Sequence, residues 1–121
     1  MAWLWERRLY RPGLRTTDGR AVQVIYPGWR WGSWGPDFRA ALLTIDGALT
    51  RGDVEIHVRA RDWDRHGHAT DPAYDAVVLQ VVHELDDAPP ATRHDGVAVP
   101  SVRGLRDRAQ EPNCCRALSI S

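Results

Sequence analysis

Residues 53–60 read Asp53-Val54-Glu55-Ile56-His57-Val58-Arg59-Ala60, and this stretch decides which fold the chain can adopt. Three aliphatic residues alternate in it with three polar ones, Glu55, His57 and Arg59. A period of two residues is typical of a β-strand, because successive side chains point to opposite faces of a sheet. The stretch therefore predicts a strand with one apolar face and one face that carries an acid, an imidazole and a guanidinium.

Further elements can be placed outward from this strand. The patterns of apolar residues predict a helix over residues 2–10 and strands over residues 21–26 and 37–45. Asp71-Pro72 has the residue types of a helix cap and a first helical position, and residues 76–82 are almost wholly apolar, so a short helix should lead into a buried strand. The order of helix, three strands, short helix and strand predicts an α/β (α+β) fold with a mixed central sheet and flanking helices.

The composition is that of one globular domain. A chain of 121 residues can bury one core, and its 43% hydrophobic and 26% charged residues are ordinary values for a folded protein. We assign residues 1–110 to a single mixed α/β domain with a last short strand at residues 97–99. Residues 111–121 are expected to form a disordered or irregular tail.

The charges and the cysteines limit the partners and the compartment. Sixteen basic residues, all of them arginine, balance sixteen acidic residues, so no overall charge draws the protein to nucleic acid or to an anionic membrane. Any contact with DNA or RNA must come from a local arginine patch. The two cysteines are the neighbours Cys114 and Cys115, which do not form a disulfide scaffold. No stretch approaches the roughly 20 apolar residues of a membrane helix. We therefore expect a cytoplasmic protein without a membrane partner, and the sequence leaves its oligomeric state open.

The position of Asp37 depends on how the second and third strands pair. Asp46-Gly47 has the residues of a hairpin turn between them, so the strands should be antiparallel. A two-residue turn would place Asp37 opposite Ile56 and away from the polar face. A three-residue loop, or a bulge at Gly52, would instead pair Asp37 with His57, and we favour this register because glycine tolerates a bulge.

In the favoured register, two carboxylates and several cations share one surface. The candidate site residues are Asp37, Glu55, His57, Arg39 and Arg59. Asp37 and Glu55 form an oxygen-rich site suited to Mg²⁺ or Mn²⁺. Such an ion would lower the pKa of an attacking water, His57 would orient or deprotonate that water, and an arginine would offset the charge on phosphate. The pattern therefore predicts metal-dependent hydrolysis of a phosphodiester.

The same residues have simpler interpretations. The polar side chains of residues 53–60 can be only the solvated face of an amphipathic strand, joined by a cross-strand ion pair. An aromatic loop with Trp29, Trp31 and Trp34 is more often a cover over a core than a binding platform. Neither interpretation requires a catalytic site.

A second candidate site lies in the polar loop after the third strand. It contains His66-Gly67-His68 and three acids, Asp62, Asp64 and Asp71. Imidazole nitrogens and carboxylate oxygens are ligands for Zn²⁺ or Mn²⁺. The spacing is not that of a standard zinc motif, and a His-x-His pair in a loop is more often an exposed polar pair or a helix cap. A further hypothesis joins His57 to His66 and His68 in one transition-metal site.

Five motifs in order resemble a bacterial family known as domain of unknown function 2851. They are Gly35-Pro36-Asp37-Phe38, Gly52-Asp53-Val54-Glu55-Ile56-His57, Asp62-Trp63 with His66-Gly67-His68, Asp71-Pro72-Ala73-Tyr74 and Val78-Leu79-Gln80-Val81-Val82. The resemblance spans residues 3–102 and does not extend beyond about Arg108. Relatives are usually several times longer, so the chain resembles a truncated or N-terminal version. They also tend to have histidine at the position where this chain has Gln80. The family implies no particular activity.

The predicted order of elements also resembles the nuclease superfamily defined by the PD-(D/E)XK signature. Pro36-Asp37 matches its first part and Glu55-Ile56-His57 its second, with His57 in the lysine position, while Glu6 matches the helix acid that some members use. The resemblance implies a restriction-endonuclease-like fold and an Mg²⁺- or Mn²⁺-dependent nuclease for DNA or RNA, with Asp37 and Glu55 as metal ligands. The missing lysine leaves an alternative, a non-catalytic binding or assembly module that uses the tryptophan loop.

Overall fold

Six strands form one mixed sheet at the centre of the structure, a computed structural model that describes residues 2–8, 10, 13–30 and 35–104. The sheet contains β1 (Val22–Tyr26), β2 (Trp29–Arg30), β3 (Phe38–Ile45), β4 (Ala48–Arg59), β5 (Val77–Glu84) and β8 (Ser101–Arg103). Between β5 and β8, the strands β6 (Ala91–Thr92) and β7 (Ala98–Val99) form a separate hairpin. The helical parts are α1 (Ala2–Glu6), α2 (Asp62–Arg65) and two 3₁₀ turns, His68–Thr70 and Pro72–Tyr74. The fold is therefore mixed α+β with few helical residues.

The sheet contains both antiparallel and parallel pairs, and this mixture positions the site. Its order is β1-β3-β4-β5-β8, with β2 paired to β3. The pairs β1 with β3 and β3 with β4 are antiparallel, whereas β4 with β5 and β5 with β8 are parallel. Parallel neighbours need a crossover connection. Residues 60–76, which contain α2 and both 3₁₀ turns, form the crossover between β4 and β5.

The two faces of the sheet are covered by different elements. On one face, α1 contributes Leu4 and Trp5 to the main core, where they join Val54 and Ile56 of β4. The indole Nε1–H of Trp5 donates a hydrogen bond to the carbonyl oxygen of Pro27 at 2.8 Å. The crossover, β5 and the hairpin form a second apolar cluster, Trp63, Tyr74, Val77, Ala91 and Val99. Both faces of β4 are therefore covered near its middle.

Most of the predicted elements are present with shifted ends. The N-terminal helix ends at Glu6, and the central strand begins at Ala48 because its pairing with β3 continues back to the hairpin turn. The short helix predicted by Asp71-Pro72 is a single 3₁₀ turn, in which the Asp71 carboxylate accepts a hydrogen bond from the N–H of Ala73 at 2.9 Å. The sequence does not predict β2, which it assigns to an aromatic loop, or β6 and β8, since segments of two or three residues carry no readable period.

Some sequence predictions concern residues that the structure does not describe. Trp31, Trp34 and the predicted tail at residues 111–121 lie outside the described residues. Trp29 belongs to β2 and is 46% exposed, so it does not form a buried cover over the core. Within the described part of the chain, no helix has the length and apolar character needed to span a membrane.

The pairing of β3 with β4 differs from the favoured register. Ile45 pairs with Ala48 across a two-residue turn, and regular pairing continues as far as Gly52. The register then shifts, so that Phe38 pairs with Val54. The irregularity leaves two residues of β3 opposite one residue of β4, which is a bulge in β3. The prediction of a three-residue loop or a bulge at Gly52 is therefore wrong.

Contacts between neighbouring strands explain where the bulge forms. Ala40 has a left-handed φ of 57°, and its N–H donates a hydrogen bond to the buried carboxylate of Asp53 at 3.2 Å. The same carboxylate lies 3.4 Å from the guanidinium of Arg39. A Cβ at Gly52 would lie 2.4 Å from the side chain of Val78. Glycine is needed at position 52 for the close approach of β5, and the bulge lies opposite Asp53 instead.

Candidate metal centre

The bulge in β3 brings Asp37 beside Glu55. The backbone N–H of Asp37 donates a hydrogen bond to Oε1 of Glu55 at 3.1 Å, and the N–H of Ile56 donates one to Oδ2 of Asp37 at 2.8 Å. Because Phe38 pairs with Val54, Asp37 meets Glu55 and Ile56 and does not pair with His57. The structure thus places the two carboxylates together, through a register other than the favoured one.

Three buried side chains meet on the polar face of β4. Oε2 of Glu55 lies 2.8 Å from Nε2 of His68 and 3.1 Å from Nε2 of His57, and the two Nε2 atoms lie 3.2 Å apart. We call Glu55, His57 and His68 the three-donor cluster. Its residues are 5%, 4% and 5% exposed. The interpretation of Glu55 and His57 as a solvated strand face is therefore wrong.

The crossover carries His68 to the sheet through a sharp turn. Gly67 has φ 74°, a left-handed conformation that glycine adopts at little cost. The ring of His68 stacks on Tyr74 with the centroids 3.8 Å apart, and Trp63 packs edge-on against it at 5.2 Å. These contacts hold Nε2 of His68 toward Glu55. Its buried Nδ1 has no hydrogen-bond partner among the described residues.

The strand β5 holds the other side of His57. Oε1 of Gln80 lies 2.6 Å from Nδ1 of His57, and Nε2–H of Gln80 donates a hydrogen bond to Oγ of Ser101 at 2.8 Å. A carboxamide oxygen has no hydrogen, so the proton of the first bond belongs to Nδ1. His57 therefore turns Nε2 toward Glu55 and His68.

Burial and short contacts change the protonation of this group. Burial works to raise the pKa of Glu55, but hydrogen bonds with His57, His68 and Asp37 outweigh it and lower the pKa to about 2. Burial, together with the charge of Glu55, raises the pKa of Asp37 to about 7. Burial also works to lower the pKa of His57, but hydrogen bonds to Glu55 and Gln80 outweigh it and raise that pKa. An ionised Glu55 in this interior favours a cation beside it.

The donor atoms of the three-donor cluster fit a transition-metal ion. Ligand atoms at ~2.0–2.2 Å from a tetrahedral Zn²⁺ lie about 3.3–3.6 Å apart. The three donors, at 2.8 to 3.2 Å from one another, need only small outward shifts to reach that spacing. Two imidazoles and one carboxylate suit Zn²⁺ or Mn²⁺ better than Mg²⁺, which prefers oxygen ligands.

His66 lies at the exposed rim of this group. One ligand atom from each of His57, His66 and His68 can be chosen so that all three lie within 4.8 Å of one another. The structure therefore brings the polar face of β4 and the His66-Gly67-His68 loop into one place. From the sequence these are two separate candidate sites. Only the hypothesis of one transition-metal site at His57, His66 and His68 joins them.

The other predicted site residues do not belong to the three-donor cluster. Arg39 contacts Asp53 beside the bulge, and Arg59 is exposed with its Nε 3.3 Å from Oε2 of Glu84. This second contact is a cross-strand ion pair of the kind that the simpler interpretation expects. Asp62 accepts a hydrogen bond from the backbone N–H of Arg59 at 3.2 Å. Glu6 is exposed on α1, and Asp64 is exposed in α2.

Sequence reasoning misses several residues that shape the site. They are Trp63, Tyr74, Gln80 and Ser101. Only Gln80 carries a signal, because a polar residue inside an apolar strand must find hydrogen-bond partners when the strand is buried. The aromatic residues of the crossover give no such signal, since nothing in their local pattern indicates which face of the sheet they cover.

The chain belongs to a family described as protein of unknown function (DUF2851), whose model matches residues 1–116. The predicted resemblance to this family is confirmed. The expectation that the resemblance ends near Arg108 is wrong, because the match continues to residue 116. No curated protein and no solved structure is significantly similar to the chain.

Proposed function

We propose that this member of the DUF2851 family is a cytoplasmic, metal-dependent hydrolase that cleaves phosphodiester bonds in nucleic acid. One observation carries the proposal: Oε2 of Glu55 and the Nε2 atoms of His57 and His68 converge within 3.2 Å in the interior. A carboxylate and two imidazoles so close together are stable only with protons or a metal ion between them. The compartment rests on the cysteine content alone.

The roles follow from the contacts of each side chain. Glu55, His57 and His68 would hold the ion, with His66 at the rim as a further ligand. A bound divalent ion supplies positive charge against the phosphoryl oxygens and lowers the pKa of an attacking water. Asp37 lies beside Glu55, whose Oε1 accepts a hydrogen bond from the backbone N–H of Asp37, and Asp37 is the candidate base. The two imidazoles make Mn²⁺ or Zn²⁺ the proposed ion, whereas the sequence-based expectation for an oxygen-rich site is Mg²⁺ or Mn²⁺.

Two features support nucleic acid as the substrate. The order of α1, β1, β3, β4, crossover and β5, with antiparallel pairs followed by a parallel pair, supports the resemblance to PD-(D/E)XK nucleases. Arg39 follows Asp37 by two residues and Arg59 follows His57 by two; each pairs with an acid, Asp53 and Glu84 respectively, and each guanidinium would offset charge on a phosphate that approaches it. Such arginines would form the local patch that contacts the DNA or RNA backbone.

The test measures cleavage of short DNA and RNA by chelator-treated protein with and without added Mn²⁺ or Zn²⁺. We expect ion-dependent cleavage by the wild type and its loss in His68→Asn. His94→Asn is the matched control, because His94 is an exposed histidine 3.6 Å from Asp75 and outside the three-donor cluster. Circular dichroism verifies that both variants fold. A folded wild type that shows no ion-dependent cleavage contradicts the hydrolase assignment.

A non-catalytic binding or assembly module is the second candidate function. Exposed apolar side chains near the β1 edge of the sheet favour it: Ile25, Tyr26 and Trp29 are 48%, 41% and 46% exposed. Exposed apolar side chains of this kind support self-association or partner binding. Light scattering of the wild type and of Tyr26→Ser distinguishes the two candidates. If the wild type forms oligomers that Tyr26→Ser dissociates, and if it cleaves neither DNA nor RNA, the result would favour the binding or assembly module.

A further inference from the structure

We infer that Gln80 is a positioning residue of the metal centre. It holds His57 in the tautomer that is protonated on Nδ1, so that Nε2 is the nitrogen that binds the ion. The inference rests on the part of the proposed function that concerns an ion at Glu55, His57 and His68, and it is independent of the phosphodiester substrate.

Gln80 lies where a polar side chain is unfavourable without partners. It is 0% exposed, and its neighbours Val81 and Val82 are fully buried as well. A buried amide is destabilising when its hydrogen bonds are not made. Both ends of this amide are used, since Oε1 lies 2.6 Å from Nδ1 of His57 and Nε2–H donates to Oγ of Ser101 at 2.8 Å. The hydrogen bonds of Gln80 with His57 and Ser101 therefore explain why a polar residue occupies this buried position.

The direction of the hydrogen bond between Gln80 and His57 decides which ring nitrogen of His57 can bind a metal ion. Oε1 of Gln80 carries no hydrogen, so Nδ1 of His57 is the donor. In a neutral imidazole the other nitrogen then presents a lone pair. Oε2 of Glu55 and Nε2 of His68 lie 3.1 and 3.2 Å from that nitrogen. A hydrogen bond to the far nitrogen orients a histidine ligand and strengthens its hold on a metal ion.

A neutral amide also suits the charge of the centre. Asp37 and Glu55 already place two carboxyl groups in contact there. A third acid at position 80 would add negative charge that is unfavourable in the metal-free interior, although it would attract a bound cation, whereas Gln80 accepts the hydrogen bond without adding charge. Ser101 holds the amide from the other side, because its Oγ accepts a hydrogen bond from Nε2–H of Gln80.

The test compares Gln80→Met and Gln80→Glu in the full chain. Methionine has similar length and volume without an acceptor, whereas glutamate keeps an acceptor at the same place. We expect the Zn²⁺ affinity, measured by competition with a chelator, to fall roughly 10- to 100-fold in Gln80→Met and to be retained or increased in Gln80→Glu. Circular dichroism verifies folding. If Gln80→Met does not fold, Ser101→Ala replaces it, and it should lower the affinity by a smaller factor because the amide loses its orienting partner.

A spectroscopic measurement separates positioning from a general loss of stability. Long-range proton–nitrogen NMR spectra of the Zn²⁺-loaded wild type should show His57 protonated on Nδ1 and coordinated through Nε2. Unchanged affinity in Gln80→Met, or a His57 protonated on Nε2, would overturn the inference. Zn²⁺ binding by a wild type that cleaves no phosphodiester contradicts the substrate and leaves the role of Gln80 intact. A wild type that binds neither Zn²⁺ nor Mn²⁺ contradicts both.

Discussion

Oε2 of Glu55 lies 2.8 Å from Nε2 of His68, and this contact joins the centre of the sheet to the crossover that covers it. Glu55 lies in β4, whereas His68 begins the first 3₁₀ turn, 13 residues further along the chain. An ion held by both residues would therefore bind only the folded arrangement of β4 and the crossover. Metal binding and the stability of the fold should be linked for this reason.

The first prediction concerns stabilisation by Zn²⁺. An ion that binds only the folded state raises the free energy of unfolding, by about 2.7 kcal/mol at a hundred times its Kd. We expect Zn²⁺ to raise the Tm of the wild type and not that of Glu55→Gln, measured by scanning calorimetry. Glu84→Gln, which changes an exposed glutamate of β5, should respond like the wild type. An equal rise in Glu55→Gln would show that the ion binds elsewhere.

The second prediction concerns the pH dependence of the metal-free protein. The pKa of Asp37 is raised to about 7 in the folded state, whereas an aspartate in an unfolded chain has a pKa of about 3.9. The folded state thus binds the proton more tightly. The resulting stabilisation is complete below about pH 4 and is lost as the pH rises through about 7. The raised pKa of His57 acts in the same direction.

Asp37→Asn should therefore flatten this pH dependence without abolishing it. Asparagine resembles the protonated acid, because it can still accept a hydrogen bond from the N–H of Ile56 and donate one to Glu55. The measurement is the free energy of unfolding in urea with chelator present, at about pH 5 and about pH 8. A variant whose stability falls as steeply as that of the wild type would show that Asp37 does not titrate in this range.

The third prediction concerns the bulge in β3. Asp53→Ala should lower the free energy of unfolding by about 1–3 kcal/mol, because the N–H of Ala40 loses its buried acceptor. Asp53→Asn should cost less, since it keeps an acceptor and loses only the charge that faces Arg39. Urea unfolding of both variants measures the difference. Equal stability of Asp53→Ala and the wild type would mean that the carboxylate does not hold the bulge.

The fourth prediction concerns the close approach of β4 and β5. Gly52→Ala should destabilise the fold by about 1–3 kcal/mol through overpacking, since the new Cβ would lie 2.4 Å from Val78 and 2.7 Å from the carbonyl oxygen of Ala76. The cost should be smaller when the substitution is made in Val78→Ala, because only the backbone contact remains. A double-mutant cycle of unfolding free energies measures this coupling. The same cost in both backgrounds would contradict the steric explanation.

Local patterns explain which parts of the fold the sequence predicts. The alternation in residues 53–60 and the apolar run in residues 76–82 indicate strands because each side chain's face depends only on its place along the strand. The bulge cannot be predicted in this way. The left-handed conformation of Ala40 is stabilised by a hydrogen bond to Asp53 from the neighbouring strand, and no residue near Ala40 in the sequence indicates this partner.

The same distinction between local patterns and long-range contacts applies to the candidate site. Glu55 and His57 on one strand face and His68 in the loop that follows can be predicted from the chain alone, because they depend on composition and period. The meeting of the three donors follows from the tertiary arrangement and cannot be predicted in this way. The parallel pairing of β4 with β5 forces a crossover that buries the polar face under His68, and the same pairing brings Gln80 of β5 beside His57. Long-range pairing sets that geometry, and no local pattern contains it.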